Sequence, residues 1–337
     1  MKKLAVLIPT YNSAQYLKES IDSILNQTYS NFDLYIYDDC STDNSKEVIE
    51  NYSDKRIFYR KNNENLGISK TLNKGLDELL PNYQFIARMD ADDWAFPERF
   101  ERQMCYLEEN ESIVLCGTQG VWLKNINENV SSGWEYPGED NYLKLYLLFS
   151  ASFGHSSVFL RSVFFDSNAL RYDEDIKTCE DWDLWIKVSE NGEMHNLPDF
   201  LMKYRIVENS NHRSAGNKNK HLRERSIIIS NYWKTFDINL SPEQVFEYYY
   251  ATDGIISQNF RCKLEILITC FNHLFFNYTK NLSNSDKKKF SYLLSRKISD
   301  FWKRSNSSKY NLVVWFVLLT KVKFIGNIRL IKNQLTL

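Results

Sequence analysis

Apolar residues come in short blocks along the first hundred positions, and the blocks switch between two spacings. Leu4-Ala-Val-Leu-Ile8 is an unbroken apolar run stopped by Pro9, the pattern of a strand covered on both faces. Ala14–Asn26 instead places Tyr16, Leu17, Ile21, Ile24 and Leu25 at helical intervals. The alternation then repeats. Phe32–Tyr37 reads as a strand, and the capping residues Ser41-Thr-Asp43 open a helix to about Tyr52. Arg56–Arg60 is a strand, Ile68–Leu80 a helix, Tyr83–Met89 a strand and Trp94–Leu107 a helix. Such a succession predicts an α/β fold with a mostly parallel central sheet flanked by helices. Ligands of these sheets sit beyond the carboxyl ends of the strands. Those ends carry Thr10-Tyr11-Asn12, Asp38-Asp39, Asn65-Leu66-Gly67 and Asp90-Ala-Asp92-Asp93, four polar clusters expected to share one crevice.

Further along, Ser157–Leu160 reads as buried, Glu180–Val188 as helical, and a stretch punctuated by Pro198 ends at Tyr204-Arg205. Ser210–Lys220 is polar and linker-like, and Leu222–Asn333 is largely helical and aromatic. The expected division is a catalytic domain over 1–215 and a helical, basic region over 216–337. Charge sharpens it: residues 1–217 hold 22 Lys and Arg against 35 Asp and Glu, residues 218–337 hold 20 against 8. The second part is therefore drawn to something anionic, either another partner or the acidic first part. With 43% hydrophobic and 25% charged residues, wholesale disorder is excluded. The opening MKKLAVLIPTYN starts like a signal peptide, but its apolar run stops at Pro9 with no small-residue cleavage site, so a buried first strand is expected. Six scattered cysteines without paired spacing point to reduced thiols in a cytoplasmic compartment.

Three acidic groups carry candidate chemistry. Asp90, Asp92 and Asp93 repel one another within four residues, and hard divalent cations are held by such carboxylates together with substrate phosphates. Alone, the same cluster also fits a solvated turn ahead of a helix. In Asp38-Asp39 one carboxylate can accept a base N–H, with Tyr11 offering a flat stacking face. Helix capping explains Ser41 or Asp43 but leaves the doubled Asp without a purpose. Glu180-Asp181 contains a candidate general base, although by itself the pair reads as an acidic first turn favoured by the helix dipole.

Taken together and in order, these segments resemble the inverting family 2 glycosyltransferases of the GT-A fold, in the bacterial branch that builds surface polysaccharides. The resemblance rests on Ile8-Pro-Thr10-Tyr11-Asn12, Asp38-Asp39-Cys-Ser-Thr-Asp43, Asn65-Leu-Gly67, Ala87-Arg88-Met-Asp90-Ala-Asp92-Asp93 with Pro97-Glu-Arg99, and Glu180-Asp181-Trp-Asp183-Leu-Trp185. It spans roughly residues 3–206. It implies that Thr10, Tyr11 and Asp39 hold a uracil base and that Asp90 contacts the ribose or a metal-bound water. Asp92 would bind Mn²⁺ or Mg²⁺ beside the diphosphate, and Asp181 would be the catalytic base. A UDP-sugar is the implied donor and a glycan or lipid-linked glycan the acceptor, with no role for nucleic acid. Two departures stand out: Val207 occupies a position where histidine is common, with His212 further on, and Cys40 stands where glycine is commoner. His155, within Gly154-His155-Ser156-Ser157, matches a segment on the acceptor side, although a lone histidine before an apolar run is more often structural.

Two other readings are weaker. A nucleotidyltransferase would bring a glycine-rich basic loop after the first strand, and a non-catalytic nucleotide-sugar-binding protein would have lost Asp92 or Asp181. At the other end of the chain, basic residues flank the apolar run Leu312–Leu319, which is too short to span a bilayer. That composition fits a helix lying on an anionic membrane surface, with the protein peripheral on the inner face of the membrane, or ordinary packing against the aromatic helices before it.

Overall fold

The computed structural model describes residues 2–123, 133–206, 215–247, 260–280 and 282–304. The chain divides into two compact units, Met1–Ser214 and Ala215–Leu337. The first unit runs β1 (Lys2–Thr10), α1 (Ala14–Leu25), β2 (Phe32–Asp38), α2 (Ser45–Glu50), β3 (Ile57–Lys61), α3 (Ile68–Leu79) and β4 (Tyr83–Arg88). It continues through β5 (Trp94–Ala95), α4 (Arg99–Glu109), β6 (Ile113–Leu123), β7 (Gly133–Trp134), α5 (Asp140–Leu147) and a 3₁₀ turn at His155–Ser157. Then come β8 (Phe159–Arg161), α6 (Ser162–Ser167), α7 (Glu180–Asn191) and β9 (Glu193–Arg205).

One sheet takes all these strands in the order β3-β2-β1-β4-β8-β6-β9-β5, with β7 beside β6. The first four strands pair parallel, while β8 enters antiparallel between β4 and β6. The parallel half has the apolar runs it needs. Leu4, Val6 and Ile8 of β1 pack with Leu17, Ile21 and Ile24 of α1 and with Phe100, Met104 and Leu107 of α4. On α3, Gly75 lets the helix approach closely, since a Cβ there would meet Leu7 Cδ1 at 2.5 Å. These are the strands and helices the apolar spacing predicted, to within a residue or two at most ends.

The predicted helix over Trp94–Leu107 is different. Trp94 and Ala95 form a two-residue strand paired antiparallel with Lys203 and Met202, and the helix starts at Arg99. Pro97 has no N–H to donate and disfavours helical backbone at Phe96. The free edge of β9 captures the preceding residues. Pro198 leaves its mark on β9 as a bulge: Leu197 pairs with Thr118 and Phe200 with Gln119. The strand bends there and continues to Arg205.

The second unit contains α8 (Ala215–Lys234), α9 (Pro242–Val245), α10 (Phe260–Tyr278) and α11 (Asn284–Arg304). Helix α8 begins inside the Ser210–Lys220 stretch expected as linker, because exposed helical positions can all be polar and then give no periodic signal. Trp233 meets Phe271 edge-on at 5.9 Å and Phe275 stacks on Phe290 at 6.0 Å, so the aromatic residues of this unit form its own core. No described helix is long and apolar enough to cross a membrane. Leu312–Leu319 and its flanking cations lie outside the described residues.

Candidate active site

The carboxyl ends of β1, β2 and β4 are tied together by side chains that bond to backbone. After β1 the chain turns through Asn12, whose φ of 48° is left-handed. Asn12 Oδ1 accepts the Thr42 N–H at 2.8 Å, and Ser41 Oγ accepts the Asn12 N–H at 3.0 Å. Asp43 Oδ2 accepts the Ala14 N–H at 2.9 Å and its Oδ1 the Ser45 N–H at 3.0 Å, so one carboxylate serves the starts of two helices. Cys40 is also left-handed, with φ 64°, which explains why glycine suits the position. A Cβ there costs roughly 1–2 kcal/mol, partly offset by the chain entropy a glycine loses on folding. Cys40→Gly is therefore expected to stabilise the protein by about 0.5–1 kcal/mol, read as a higher midpoint in urea.

Asp38 and Asp39 have separate duties. Asp38 is fully buried; it accepts the Ser41 N–H at 2.7 Å and the Tyr59 hydroxyl at 2.6 Å. Asp39 accepts three N–H groups: Asn62 Nδ2 and Leu66 N on Oδ1, and Gly67 N on Oδ2, each at 2.8 Å. Gly67 takes φ 85°, a conformation that favours glycine, and this turns both amides onto the carboxylate. Asn62 is itself held by Lys74 Nζ at 2.9 Å and Thr71 Oγ1 at 2.9 Å. A carboxylate offers about four acceptor sites, so one on Oδ2 remains. The neighbouring Thr10 hydroxyl is buried with no hydrogen-bond partner among the described residues, and the Tyr11 ring is 48% exposed.

The acidic turn is built on two buried arginines. Arg99 donates to the Arg88 carbonyl at 2.9 Å and lies over the Phe100 and Phe159 rings; burial pulls it down to about 9. Arg88 donates to Asp90 Oδ1 at 2.5 Å, and although burial acts against its charge, Asp90 keeps it protonated. Ser156 Oγ closes the ring, accepting from Asp90 N at 3.0 Å and Arg88 Nη1 at 3.2 Å and donating to Asp90 Oδ2 at 2.9 Å. Ser20 of α1 donates to the carbonyls of Asp90 and Asp93. Arg205 clamps the other side: its N–H reaches Asp93 Oδ1 and its Nε the Asp92 carbonyl, both at 2.9 Å, while Nη2 pairs with Glu19.

Oxygen atoms of Asp90, Asp92 and Asp93 all lie within 4.8 Å of one another. Asp90 is taken up by Arg88 and Ser156, whereas Asp93 accepts the Arg205 N–H on Oδ1 and its buried Oδ2 has no hydrogen-bond partner among the described residues. Asp92 makes no side-chain hydrogen bond or ion pair to another residue among those described, and burial together with the Asp90 charge pushes it up to about 6. A half-buried carboxylate with no side-chain hydrogen bond among the described residues, with two more beside it, is a donor set that fits a hard divalent ion.

On the far side, Glu180, Asp181 and Asp183 fill the first turn of α7, where the helix dipole favours negative charge. Asp181 Oδ1 accepts the Trp182 N–H at 2.7 Å. Glu180 is buried, and burial followed by the Asp181 charge pushes it up to about 8; Arg88 and Asp90 act on it as well. Two adjacent residues link the two acidic clusters, Ser156 through its bond to Asp90 Oδ2 and His155 through its contact with Glu180. His155 stands between them, 2.8 Å from the Tyr172 hydroxyl and 3.6 Å from Glu180 Oε1. Position 207 and His212 lie outside the described residues. Ser20, Asn62, Ser156 and Glu19 were missed in the sequence, since such residues are common and nothing local marks those whose partners lie from 23 to 186 positions away.

A fold of this kind has recorded relatives. The sequence pattern of "Glycosyl transferase family 2" matches residues 5–166. A glycosyltransferase of Methanocaldococcus jannaschii is 32% identical over 256 residues, 70% of this chain and 86% of that protein. This chain belongs to the family 2 glycosyltransferases. A glycosyltransferase of Haemophilus influenzae is 34% identical over 215 residues, 61% of this chain and 66% of its own length. Among solved structures, residues 1–349 of S. aureus TarS with UDP-GlcNAc superpose with a TM-score of 0.57 at 17% identity, over 91% of each chain. A Pyrobaculum calidifontis mannosyltransferase with GDP-Man and Mn²⁺ gives 0.53 at 13% identity, over 95% of this chain and 87% of the other. The glycosyltransferase thus has the GT-A fold, an α/β sheet with helices on its faces and further helices at its C-terminal end.

Proposed function

We propose that this glycosyltransferase moves a sugar from a UDP-sugar onto a hydroxyl of a glycan or lipid-linked glycan, with inversion at the anomeric carbon. The observation that carries the reading is the link between Asp90–Asp93 and Glu180–Asp181 through Ser156 and His155. It supports a reading in which a cation-type carboxylate cluster and a base-type carboxylate stand on two sides of one reacting centre.

In this reading Asp39 and Tyr11 hold the base, with the exposed Tyr11 ring as a stacking face and Thr10 beside it. Asp92, supported by Asp90 and Asp93, would hold Mn²⁺ or Mg²⁺, which supplies positive charge to the leaving diphosphate. Arg88 and Arg205 fix the turn that presents Asp92. Asp181 accepts the proton of the acceptor hydroxyl as its oxygen attacks the anomeric carbon and the bond to the diphosphate breaks. The UDP-GlcNAc seen with S. aureus TarS supports a nucleotide sugar as donor class, and the GDP-Man seen with the Pyrobaculum enzyme is the competing choice.

Uracil is favoured by arithmetic at Asp39. One acceptor site remains there, and the imide of uracil brings one N–H. Guanine brings adjacent N1–H and N2–H groups that want two, and cytosine presents a lone pair at N3. Calorimetry in Mn²⁺ should therefore give tighter binding of UDP than of GDP or CMP, by about tenfold or more for one unpaired polar group. Tighter GDP binding under the same conditions would contradict the assignment of the donor.

A further inference from the structure

We propose that Asn62, held in one orientation by Lys74, is the residue that limits the Asp39 site to a base with a single N–H and so excludes guanine; this rests on the uracil reading above. The pair comes from two elements that converge on the Asp39 carboxylate. Asn62 follows β3, and its backbone N–H is anchored on the Asp38 carbonyl at 2.8 Å. Thr71 and Lys74 stand three residues apart on α3, the spacing that puts two side chains on one face of a helix.

The Asn62 amide has one orientation open to it. An ammonium group only donates, so the Asn62 atom 2.9 Å from Lys74 Nζ is the carbonyl oxygen. The amide nitrogen is thereby turned the other way, where it donates to Asp39 Oδ1 at 2.8 Å and to Thr71 Oγ1 at 2.9 Å. A flipped amide would set an oxygen against a carboxylate and an N–H against an ammonium, two repulsive contacts in place of two bonds. Asn62 and Thr71 are both buried, so water does not make good the loss. Lys74 is exposed, and its replacement leaves Leu72, Leu76 and Leu79, the buried face of α3, untouched.

The consequence falls on the nucleobase. Oδ1 of Asp39 carries both Asn62 and the Leu66 amide and is filled, while Oδ2 carries the Gly67 amide alone. The one imide N–H of uracil is served by Oδ2. Guanine presents N1–H and N2–H side by side, a pair suited to both oxygens of a carboxylate, and its second donor meets the oxygen that Asn62 has filled. Selection against guanine then comes from an amide that holds the place of its amino group, rather than from new contacts to uracil.

Calorimetry of the full chain in Mn²⁺ with UDP, GDP and inosine diphosphate (IDP) tests this. IDP keeps the purine ring and the N1–H of GDP but lacks the amino group, and all three share the diphosphate. The wild-type protein is expected to bind IDP about tenfold more tightly than GDP, the weight of one unpaired N–H. Asn62→Ala opens Oδ1 and should bring the two purine affinities to within about twofold of each other, or reverse their order. Lys74→Met frees the amide to turn and should narrow the gap about three- to tenfold, whereas Lys74→Arg keeps a donor on Asn62 Oδ1 and should leave it. Added to Asn62→Ala, Lys74→Met should change the gap by less than about twofold, because Lys74 acts through Asn62. A merely structural role for the pair would weaken all three nucleotides alike and leave the gap as it was. Should Asn62→Ala fail to fold, the surface substitution Lys74→Met decides.

A gap that persists in folded Asn62→Ala or in Lys74→Met would overturn the proposal and leave the uracil reading intact. So would a wild-type protein that prefers UDP but binds GDP as tightly as IDP, or purines that bind to none of the variants, since ring size would then exclude guanine. GDP binding tighter than UDP in the wild-type protein overturns the uracil reading, and this proposal with it.

Discussion

Asp181→Asn is expected to lower turnover by about two to four orders of magnitude while the nucleotide donor binds as before, the usual weight of a general base. The side chains proposed to meet the nucleotide are elsewhere: Asp39 with the Leu66 and Gly67 amides, and Asp92 on the acidic turn. Asparagine keeps the Asp181 shape and the Oδ1 that accepts the Trp182 N–H, so the helix start is preserved. The negative charge proposed to receive the acceptor proton is lost. Loss of UDP affinity in step with turnover would place Asp181 in donor binding instead. A retained anomeric configuration in the product would remove its role as base, because retention needs a different sequence of bond changes.

Asp92→Asn is expected to abolish measurable turnover and to weaken Mn²⁺ and UDP binding together, since one of the charges proposed to hold the cation beside the diphosphate disappears. It should not harm the fold, and here the sign can be worked out. Burial and Asp90 raise Asp92 to about 6 in the folded chain, above the ordinary carboxyl value of 3.8. The folded state then binds a proton that the unfolded state releases. The associated stability is present below about pH 4 and is lost as pH rises through about 6. At neutral pH, without divalent ions, the ionised Asp92 is a cost to folding that asparagine removes. Thermal unfolding in chelator at neutral pH should show Asp92→Asn melting at or above the wild-type temperature. A clear decrease would mean that Asp92 is a structural cap rather than a ligand.

How much of this was legible in the sequence depended on whether the signal was local. Leu4–Ile8 and the 17, 21, 24 spacing of α1 declare themselves because burial on both faces of a parallel sheet demands unbroken apolar strands and helices with an apolar face against them. Asp90, Asp92 and Asp93 are visible since carboxylates so close together need a reason. Trp94 misled because its neighbours favour helix, while its strand pairing depends on Lys203, more than a hundred residues later. The supports of the site are hidden for the same cause. Ser20 and Ser156 bond to a turn about 70 residues distant, and the Asp39 carboxylate is shaped by Asn62 and two backbone amides. His155 was noticeable by its segment and as a lone histidine before an apolar run, while its neighbours Tyr172 and Glu180 are brought to it by the fold. Paired carboxylates thus marked the candidate site, whereas the residues that orient them are chosen by tertiary contact and leave no spacing to read.

The most direct test of the central claim is UDP release from a panel of UDP-sugars, followed in Mn²⁺ and again in excess chelator. One donor should be turned over in Mn²⁺, with release falling to background in chelator and in the Asp92→Asn and Asp181→Asn variants. Release that continues unchanged in chelator, or that survives both substitutions, would contradict a reaction centred on these two carboxylates.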